Sequence, residues 1–244
     1  MMRVRFSGGL PLLAAVAVIA AVAEAQGPVN ISSLVNDDLT TYTNGSNYPQ
    51  NGGLLTVAGI NFTLSTIAPS SHTAVIQSST TAGVLQTFSI PVGRFGVTTV
   101  YTLMDGAFGS CGTSVGELDF VGAVTPTFVY VLTEGVNIRD HNMVSGFCQT
   151  ATGVAGTASF GGEVRLDMQQ ITLPAGFATD TLTAINFKSY GLAGAGSPFV
   201  AAVDAVGTGT TPPATPAPTS LFLALIGLAG AAVYLAWRKR AQAA

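Results

Sequence analysis

The stretch Val84-Leu-Gln-Thr-Phe-Ser-Ile90, followed shortly by Val97-Thr-Thr-Val-Tyr-Thr-Leu103, decides the fold class of this chain. In both runs β-branched and aromatic residues alternate with polar ones, which is typical of antiparallel strands with one buried face. Similar runs, separated by Gly, Pro, Asn or Ser, occupy residues 117–121, 127–132, 163–168, 182–187 and 199–203. We therefore predict an all-β fold of about nine or ten strands, an antiparallel β-sandwich or jelly roll. A β-solenoid is the structural alternative, but no short repeat period is present.

The charge of the chain is distributed unevenly between its middle and its ends. Only 9% of the 244 residues are charged and 48% are hydrophobic, with much of the apolar sequence near the two termini. Residues 26–206 contain four basic and eleven acidic side chains, a net charge of −7. Nucleic acid is therefore excluded as a partner, because its phosphates require a basic surface. The length of this middle segment predicts one domain.

The N-terminus has the pattern of a secretory signal peptide over residues 1–25. Two arginines precede an apolar run at 10–23, and small residues occupy Ala23 and Ala25 before Gln26. A first transmembrane helix is the alternative, but this run is shorter than the roughly 20 residues needed to span a bilayer. We predict export and cleavage between Ala25 and Gln26.

The C-terminus has the pattern of a second membrane signal. Residues 207–219 form a Pro- and Thr-rich linker, and the 18 residues 220–237 contain no charge. A helix of this length rises about 27 Å, close to the roughly 30 Å of the hydrocarbon core. The tail 238–244 begins with the basic residues Arg238, Lys239 and Arg240. Such a cluster stays in the cytoplasm, so the middle domain is predicted to lie outside as a single-pass precursor. A buried helix or a glycolipid anchor fits this basic end less well.

The C-terminal segment resembles the bacterial PEP-CTERM sorting tail, also known as the ice-binding protein C-terminal domain. The resemblance rests on Pro216-Ala217-Pro218, the single apolar helix and the terminal basic cluster. It implies recognition and cleavage near the Pro motif by an integral-membrane exosortase, with delivery to the cell surface or extracellular matrix. Ala217 occupies the position at which the usual motif has Glu, which puts cleavage in doubt more than membrane insertion.

The middle domain resembles the galactose-binding-like jelly rolls in the order of its parts. Residues 60–64 correspond to an early strand, 97–104 to a core strand, 135–140 to the segment after a central hairpin, and 197–203 to the closing strand. The resemblance implies contact with carbohydrate or a surface polysaccharide. It transfers no individual binding residue.

Cys111 and Cys148 are the only cysteines, and both lie in the segment predicted to be exported. Export favours pairing, so we predict a disulfide between them; two buried free thiols are the alternative. No set of four metal ligands with suitable spacing is present, so a transition-metal site is not predicted.

Residues 112–116 match the G-x-S-x-G pattern, with Ser114 as the nucleophile and His141 downstream as its base. A nucleophile elbow requires a strand that leads into a helix, whereas Ser114 is predicted to lie in a Gly-rich loop between two strands. Both histidines, His72 and His141, fit surface or loop positions. We therefore predict no enzymatic activity, and a secreted serine hydrolase is kept as the alternative.

Two further clusters are candidates for binding. The pairs Asp37/Asp38 and Glu117/Asp119 offer oxygen ligands for a structural calcium ion, although solvated acidic side chains are the simpler interpretation. Tyr42 and Tyr48 lie among asparagines, in a combination that suits stacking and hydrogen bonding to a glycan.

These patterns together predict an exported cell-surface or matrix protein that acts as a non-enzymatic binding or structural module. An unprocessed single-pass membrane protein is the alternative that shares the same topology.

Overall fold

The computed structural model describes residues 27–39, 47–68, 71–77, 85–144, 146–190 and 197–207. These residues form an all-β domain with one short 3-10 helix, Ala175–Thr179. The strands are β1 Pro28–Val29, β2 Asp37–Asp38, β3 Gly53–Val57, β4 Ile60–Thr66, β5 Thr73–Gln77, β6 Gln86–Phe95, β7 Val97–Asp105, β8 Ser114–Gly122, β9 Phe128–Thr133, β10 Val154–Phe160, β11 Val164–Thr172, β12 Thr181–Ser189 and β13 Phe199–Gly207. The predicted all-β antiparallel class is confirmed.

The larger sheet has the strand order β10-β11-β7-β13-β5-β4-β3, with β1 paired to β13 and β2 paired to β5. Its central strand, β13, is buried on both faces, which explains its small and apolar sequence FVAAVDAVG. The register with β7 shifts between Val200 and Ala202. Ala201 and Ala202 consequently contribute to the same core, whereas Val200 contributes to the opposite one.

The smaller sheet has the order β6-β12-β8-β9 and packs on one face of the larger sheet. The core between the sheets contains the buried rings of Phe120, Phe177 and Phe187. Gly96, with a φ of 71°, lies between β6 in the smaller sheet and β7 in the larger one. A positive φ at this corner favours glycine, and the chain changes sheets there.

A second core covers the opposite face of the larger sheet and contains Tyr48, Phe62, Leu103 and Phe199. The sheet curls around this core, so that edge strand β10 approaches the β3–β4 turn. A side chain added at Gly156 of β10 would lie 3.0 Å from the Cβ of Ala58. The fold is therefore a sandwich with one sheet curled towards a barrel.

The two ends of the sandwich differ in what they carry. At one end, here called the terminal end, Pro28 pairs with Asp204, and the guanidinium of Arg94 donates to the carbonyls of Gly27, Pro28 and Ala205. Gly207 pairs with Val97 at this same end. At the opposite end, here called the loop end, Ala107 and Ser197 exchange backbone hydrogen bonds of 3.1 and 2.8 Å. Both termini of the described domain therefore leave from one end.

The seven runs identified in the sequence all form strands, with ends that differ by a few residues, and the described residues contain thirteen strands where about nine or ten were predicted. The segments predicted as the signal peptide, the transmembrane helix and the sorting motif, with most of the predicted linker, lie outside the described residues. Within the described ranges, no helix has the length and apolar character required to cross a bilayer.

Asp180 closes the β8–β9 turn at the terminal end, and its removal is expected to be costly. Its carboxylate accepts the N–H groups of Val124 at 3.0 Å, Thr125 at 2.7 Å and Thr181 at 2.7 Å. We expect Asp180→Ala to lower the free energy of unfolding by about 2 kcal/mol, because three backbone donors lose their charged acceptor. Urea unfolding would measure this, with Thr179→Ala on the neighbouring residue as control. Equal stabilities of the two variants would contradict the assignment.

Candidate functional site

The candidate site is a pair of loops at the loop end, residues 106–113 and 134–149, here called the loop cluster. The predicted disulfide joins them: Cys111 and Cys148 are bonded, with their Cα atoms 5.0 Å apart. The prediction of pairing is confirmed. A covalent link between two cysteines that are 37 residues apart in sequence fixes the relative position of their loops.

Backbone hydrogen bonds hold the two loops together around the disulfide. Gly106 donates to the carbonyl of Arg139 at 2.8 Å and accepts from His141 at 2.9 Å. Gly112 donates to Glu134 at 2.8 Å, and Cys148 donates to Gly109 at 3.1 Å. Both loops therefore have extensive backbone pairing although they lie outside the two sheets.

A cluster of buried ionisable groups lies beneath these loops, and its best-paired member is Asp167 on β11. Arg139 donates from Nε to Asp167 Oδ2 at 2.6 Å and from Nη2 to Oδ1 at 3.0 Å. Thr157 adds a third bond to the same carboxylate at 2.7 Å. This two-pronged contact orients the 134–149 loop against the larger sheet.

Arg165, which is buried, also holds the 134–149 loop in place. Its guanidinium donates to the carbonyl of Asp140 at 3.0 and 2.6 Å and to Oε1 of Gln149 at 2.8 Å. Asp140 in turn accepts the backbone N–H groups of Phe108 and Asn142, both at 2.8 Å. A chain of contacts therefore connects the core to both loops.

Tyr48 and His141 form a hydrogen-bonded pair inside this cluster. The Tyr48 hydroxyl donates to the carbonyl of Arg165 at 3.1 Å and lies 2.7 Å from Nδ1 of His141. Because the hydroxyl has one proton, Nδ1 must supply the proton of the second bond. Burial, the dominant cause, lowers the pKa of His141 to about 4 and raises the pKa of Tyr48. Both groups are uncharged at neutral pH.

The surroundings of two further acids in the cluster raise their pKa. Burial, followed by the negative charge of Asp167, raises the pKa of Asp105 well above its ordinary value. Burial, followed by the charge of Asp140, raises the pKa of Glu134 to about 8. A raised pKa favours the protonated, neutral form of both side chains.

Glu134 occupies a cradle formed by two glycines. Its side chain is fully buried, and neither carboxyl oxygen has a hydrogen-bond partner among the described residues. A Cβ added at Gly106 or Gly109 would overlap the Glu134 carboxyl group. Glycine is thus required at both positions for this side chain to fit.

Replacement of Gly109 by alanine is expected to lower the free energy of unfolding by about 1–3 kcal/mol, because the added methyl overpacks the cradle. Gly146 in the same cluster has nothing within 4 Å of an added Cβ, so Gly146→Ala is the matched control. Thermal and urea unfolding would compare them. In a Glu134→Ala background the effect of Gly109→Ala should shrink; an unchanged effect would contradict the proposed clash.

The exposed surface of the loop cluster includes an apolar patch, in contrast to its ionisable interior. Phe108 and Phe147 are 39% and 41% exposed, and their rings meet edge to face with centroids 5.3 Å apart. Met143 and Val144 are 36% and 68% exposed on the same loop as Phe147. We call these four residues the crown.

The structure places the predicted glycan-binding pair differently from the prediction. Tyr48 is 2% exposed, with its ring packed against Phe160 and His141, so the surface role predicted for it is wrong. Its burial follows from long-range packing that the local asparagines did not reveal. Tyr42 lies outside the described residues.

In the structure, each member of the predicted hydrolase pair, Ser114 and His141, is hydrogen-bonded to a different residue. Ser114 begins strand β8, which corrects its predicted loop position, and its hydroxyl lies 3.0 Å from that of Thr133. His141 is buried, which corrects the prediction of a surface position, and its Nδ1 bonds to Tyr48. The strand-to-helix turn of a nucleophile elbow is therefore absent at Ser114.

The acidic pairs considered for calcium are placed in strands. Lys188 on β12 contacts Glu117 at 2.8 Å and Asp119 at 2.5 Å, so both carboxylates of this pair already have a cationic partner. Asp37 and Asp38 form β2 and are half-buried. Within the described ranges, no three His, Cys, Asp or Glu side chains are grouped to hold a metal ion.

The sequence analysis missed the buried polar cluster and the crown. The sequence did contain a signal for the cluster. Residues 26–206 hold four basic and eleven acidic side chains, so each basic side chain is a good candidate for pairing with an acid inside the fold. Arg139 and Asp167, which are 28 residues apart in sequence, form such a pair. For the crown, the signal was the pair of phenylalanines that lie near the two cysteines, Phe108 and Phe147.

Comparisons with known proteins add no function to this geometry. No protein-family model matches the chain, and no curated protein is significantly similar to it. Function is therefore inferred from the loop cluster and from the two ends of the domain.

Proposed function

We propose that this chain is an exported, non-enzymatic surface module, attached through its terminal end and presenting the loop cluster at the other. The observation that carries the proposal is the arrangement of the two ends. Pro28 and Gly207 lie at one end of β13, while the disulfide-linked loops lie at the opposite end, beyond Phe199. Segments that anchor or sort the protein would join the domain away from the loops.

The disulfide supports export. Bonds of this kind persist in oxidising compartments and are rare in the cytosol. The PEP-CTERM-like tail then implies a precursor held in the inner membrane, with an exosortase-type enzyme as its processing partner. A galactose-binding-like topology and contact with a surface polysaccharide are part of this proposal at the level of resemblance only.

The state of the buried groups supports a structural role over a catalytic one. Arg139 and Arg165 are both engaged by partners within the fold, and Tyr48 and His141 are bonded to each other. Each of these contacts orients one of the two loops. The cluster is therefore well suited to hold a binding surface in place.

Mass spectrometry of the protein recovered from the surface of cells that carry an exosortase-type enzyme tests the proposal. We expect a mature chain that begins at Gln26, contains the oxidised Cys111–Cys148 pair, and ends near Pro218. A chain with Arg238, Lys239 and Arg240 replaced by glutamine is the matched control and should lose correct sorting. Intact, reduced protein in the cytosol would overturn the proposal. Protein recovered from the surface and intact through residue 240 would support export but contradict cleavage near Pro218.

A further inference from the structure

We propose that Asn137 is a guard of strand β9: its side chain occupies the open edge of the smaller sheet and prevents that edge from pairing with another strand. The inference goes beyond the proposed function and does not depend on where the protein is located. Two hydrogen bonds carry it. Nδ2 of Asn137 donates to the carbonyl of Val131 at 2.8 Å, and its Oδ1 accepts the N–H of Thr133 at 2.8 Å.

Strand β9 needs protection because it lies at the edge of its sheet. It is the last strand in the order β6-β12-β8-β9, and among the described strands it pairs with β8 alone. Its sequence FVYVLT combines β-branched and aromatic residues without a charge, a proline or a glycine. Val129 and Val131 are 45% and 42% exposed. An edge of this kind is a template for pairing with another chain.

The other edges of the two sheets are protected in different ways. β6, at the far side of the smaller sheet, contains Pro91, which has no N–H, and its pairing with β12 is irregular between Pro91 and Arg94. The edges of the larger sheet, β3 and β10, approach each other, since a Cβ added at Gly156 would lie 3.2 Å from Cγ1 of Val57. β9 has neither form of protection.

Charge does not protect β9 either. Charged side chains are a common protection of sheet edges, but none of the charged residues in the described ranges is exposed. The two acids opposite β9 on β8, Glu117 and Asp119, are bound to Lys188. Protection of this edge therefore depends on a neutral side chain that occupies its backbone groups.

Asn137 occupies backbone groups that a second strand would use. Residues along a strand alternate in the side to which their N–H and C=O groups point. The bonds to Asn137 show that Val131 and Thr133 point away from β8, so Val129, two residues before Val131, points the same way. A neighbouring strand would offer one donor and one acceptor here, which is what the carboxamide supplies.

Strand β9 is also complementary to itself, which makes its protection necessary. The run Phe128-Val-Tyr-Val-Leu132 has a valine on each side of Tyr130 and a large apolar residue at each end. An antiparallel pair of two such strands, centred on Tyr130, sets Val129 of each copy opposite Val131 of the other. The N–H of Val129 would then donate to the carbonyl of Val131, the group that Asn137 occupies. The guard and a second strand therefore exclude each other.

The guard is held in position by the loop that carries it. Asn137 is 8% exposed, and the preceding residue, Val136, accepts the N–H of Gly153 at 2.6 Å. Two residues after Asn137, Arg139 is bonded to both carboxylate oxygens of Asp167. The contacts that orient the 134–149 loop therefore also keep the amide against β9.

Sedimentation equilibrium of the full chain in detergent micelles tests the inference. We expect Asn137→Ala to self-associate with an association constant roughly tenfold or more above that of wild type, because its β9 edge is open. Asn142→Ala is the matched control and should behave as wild type. Asn142 lies on the same loop, and its Oδ1 also accepts a backbone N–H, that of Val144, but this bond lies within the loop.

A second substitution distinguishes edge pairing from misfolding. Val129→Lys places a charge on the edge, opposite Asp119 of β8, and should return Asn137→Ala to the wild-type association constant. Asn137→Ser, whose side chain is too short to span Val131 and Thr133, should repeat the effect of Asn137→Ala in a less disruptive form. Association of Asn137→Ala that persists when Val129→Lys is added would overturn the inference.

Amide hydrogen exchange supplies an independent measurement. In the associated form of Asn137→Ala, the amide of Val129 should exchange more slowly than in monomeric wild type, because it becomes bonded to a second strand. An unprotected Val129 amide in the associated variant would contradict the proposed pairing. Wild type and Asn137→Ala that are equally monomeric up to about 1 mM would also overturn the inference. Neither measurement depends on export, so failure of the proposed function would be seen separately, in the surface fraction.

Discussion

Replacing Cys111 and Cys148 together by serine is expected to lower the free energy of unfolding by about 4 kcal/mol. The bond closes a loop of 37 residues, and the loss of this constraint increases the entropy of the unfolded chain. Urea unfolding of the oxidised protein and of the double variant would measure the difference. Reduced wild-type protein is the control, because it lacks the bond and keeps both cysteines.

Removal of the disulfide should destabilise the loop cluster more than the rest of the domain. Amide hydrogen exchange at Gly112 and Cys148, which donate across the two loops, is expected to accelerate more than exchange within β13. A stability difference below about 1 kcal/mol, with unchanged exchange at these amides, would show that the backbone pairing alone fixes the loops.

Replacing Glu134 by glutamine is expected to remove the fall in stability that this one group causes between about pH 4.5 and 8. In wild type, burial raises the pKa of Glu134 from 4.5 to about 8. Within that window the folded protein keeps a proton that the unfolded chain releases. The free energy of unfolding therefore falls as pH rises, by about 1.4 kcal/mol per pH unit for this one group. A glutamine at this position exchanges no proton, so the curve of the variant lacks this slope.

His141 has the opposite effect over a lower range. Its pKa is lowered from 6.5 to about 4, so the unfolded chain binds the extra proton and stability rises with pH in that interval. The two slopes oppose each other up to about pH 6.5, and the fall caused by Glu134 is expected to emerge above it. Asp105, whose pKa is also raised, contributes in the same direction as Glu134.

Urea unfolding at a series of pH values, carried out on wild type and Glu134→Gln, isolates the contribution of Glu134. The groups that act on it, Asp140 and Arg165, are present in both proteins. The difference in the free energy of unfolding between wild type and Glu134→Gln should therefore change steadily from about pH 5 to about pH 8. Parallel curves would contradict a buried, protonated Glu134.

The strands that the sequence predicts best are those with β-branched alternation, such as β7 and β12. Strand β10, with the sequence VAGTASF, was not predicted because Ala, Gly and Ser have little preference for strands. Its conformation depends on pairing with β11, from Val154 opposite Gln169 to Phe160 opposite Val164. Such pairing is a tertiary effect that local patterns do not encode.

The disulfide could be predicted because the chain has two cysteines and an N-terminal pattern typical of export. The buried cluster could not, because its members are brought together by contacts between distant residues: Tyr48 and His141 are 93 positions apart. Tyr48 also lies among asparagines that are typical of surface loops. Its hydroxyl is buried because Arg165 and His141 satisfy it, a compensation that becomes visible only in the folded chain.

The path of β13 through the middle of the larger sheet has a mechanical consequence. If the C-terminal segment is held while the loop end is engaged, tension enters the domain at Gly207 and acts along the strand. β13 is paired with β7 from Phe199 opposite Asp105 to Gly207 opposite Val97. Hydrogen bonds perpendicular to the pull are loaded together in shear instead of being peeled apart one by one. The domain is thus oriented to withstand tension applied between Gly207 and the loop end.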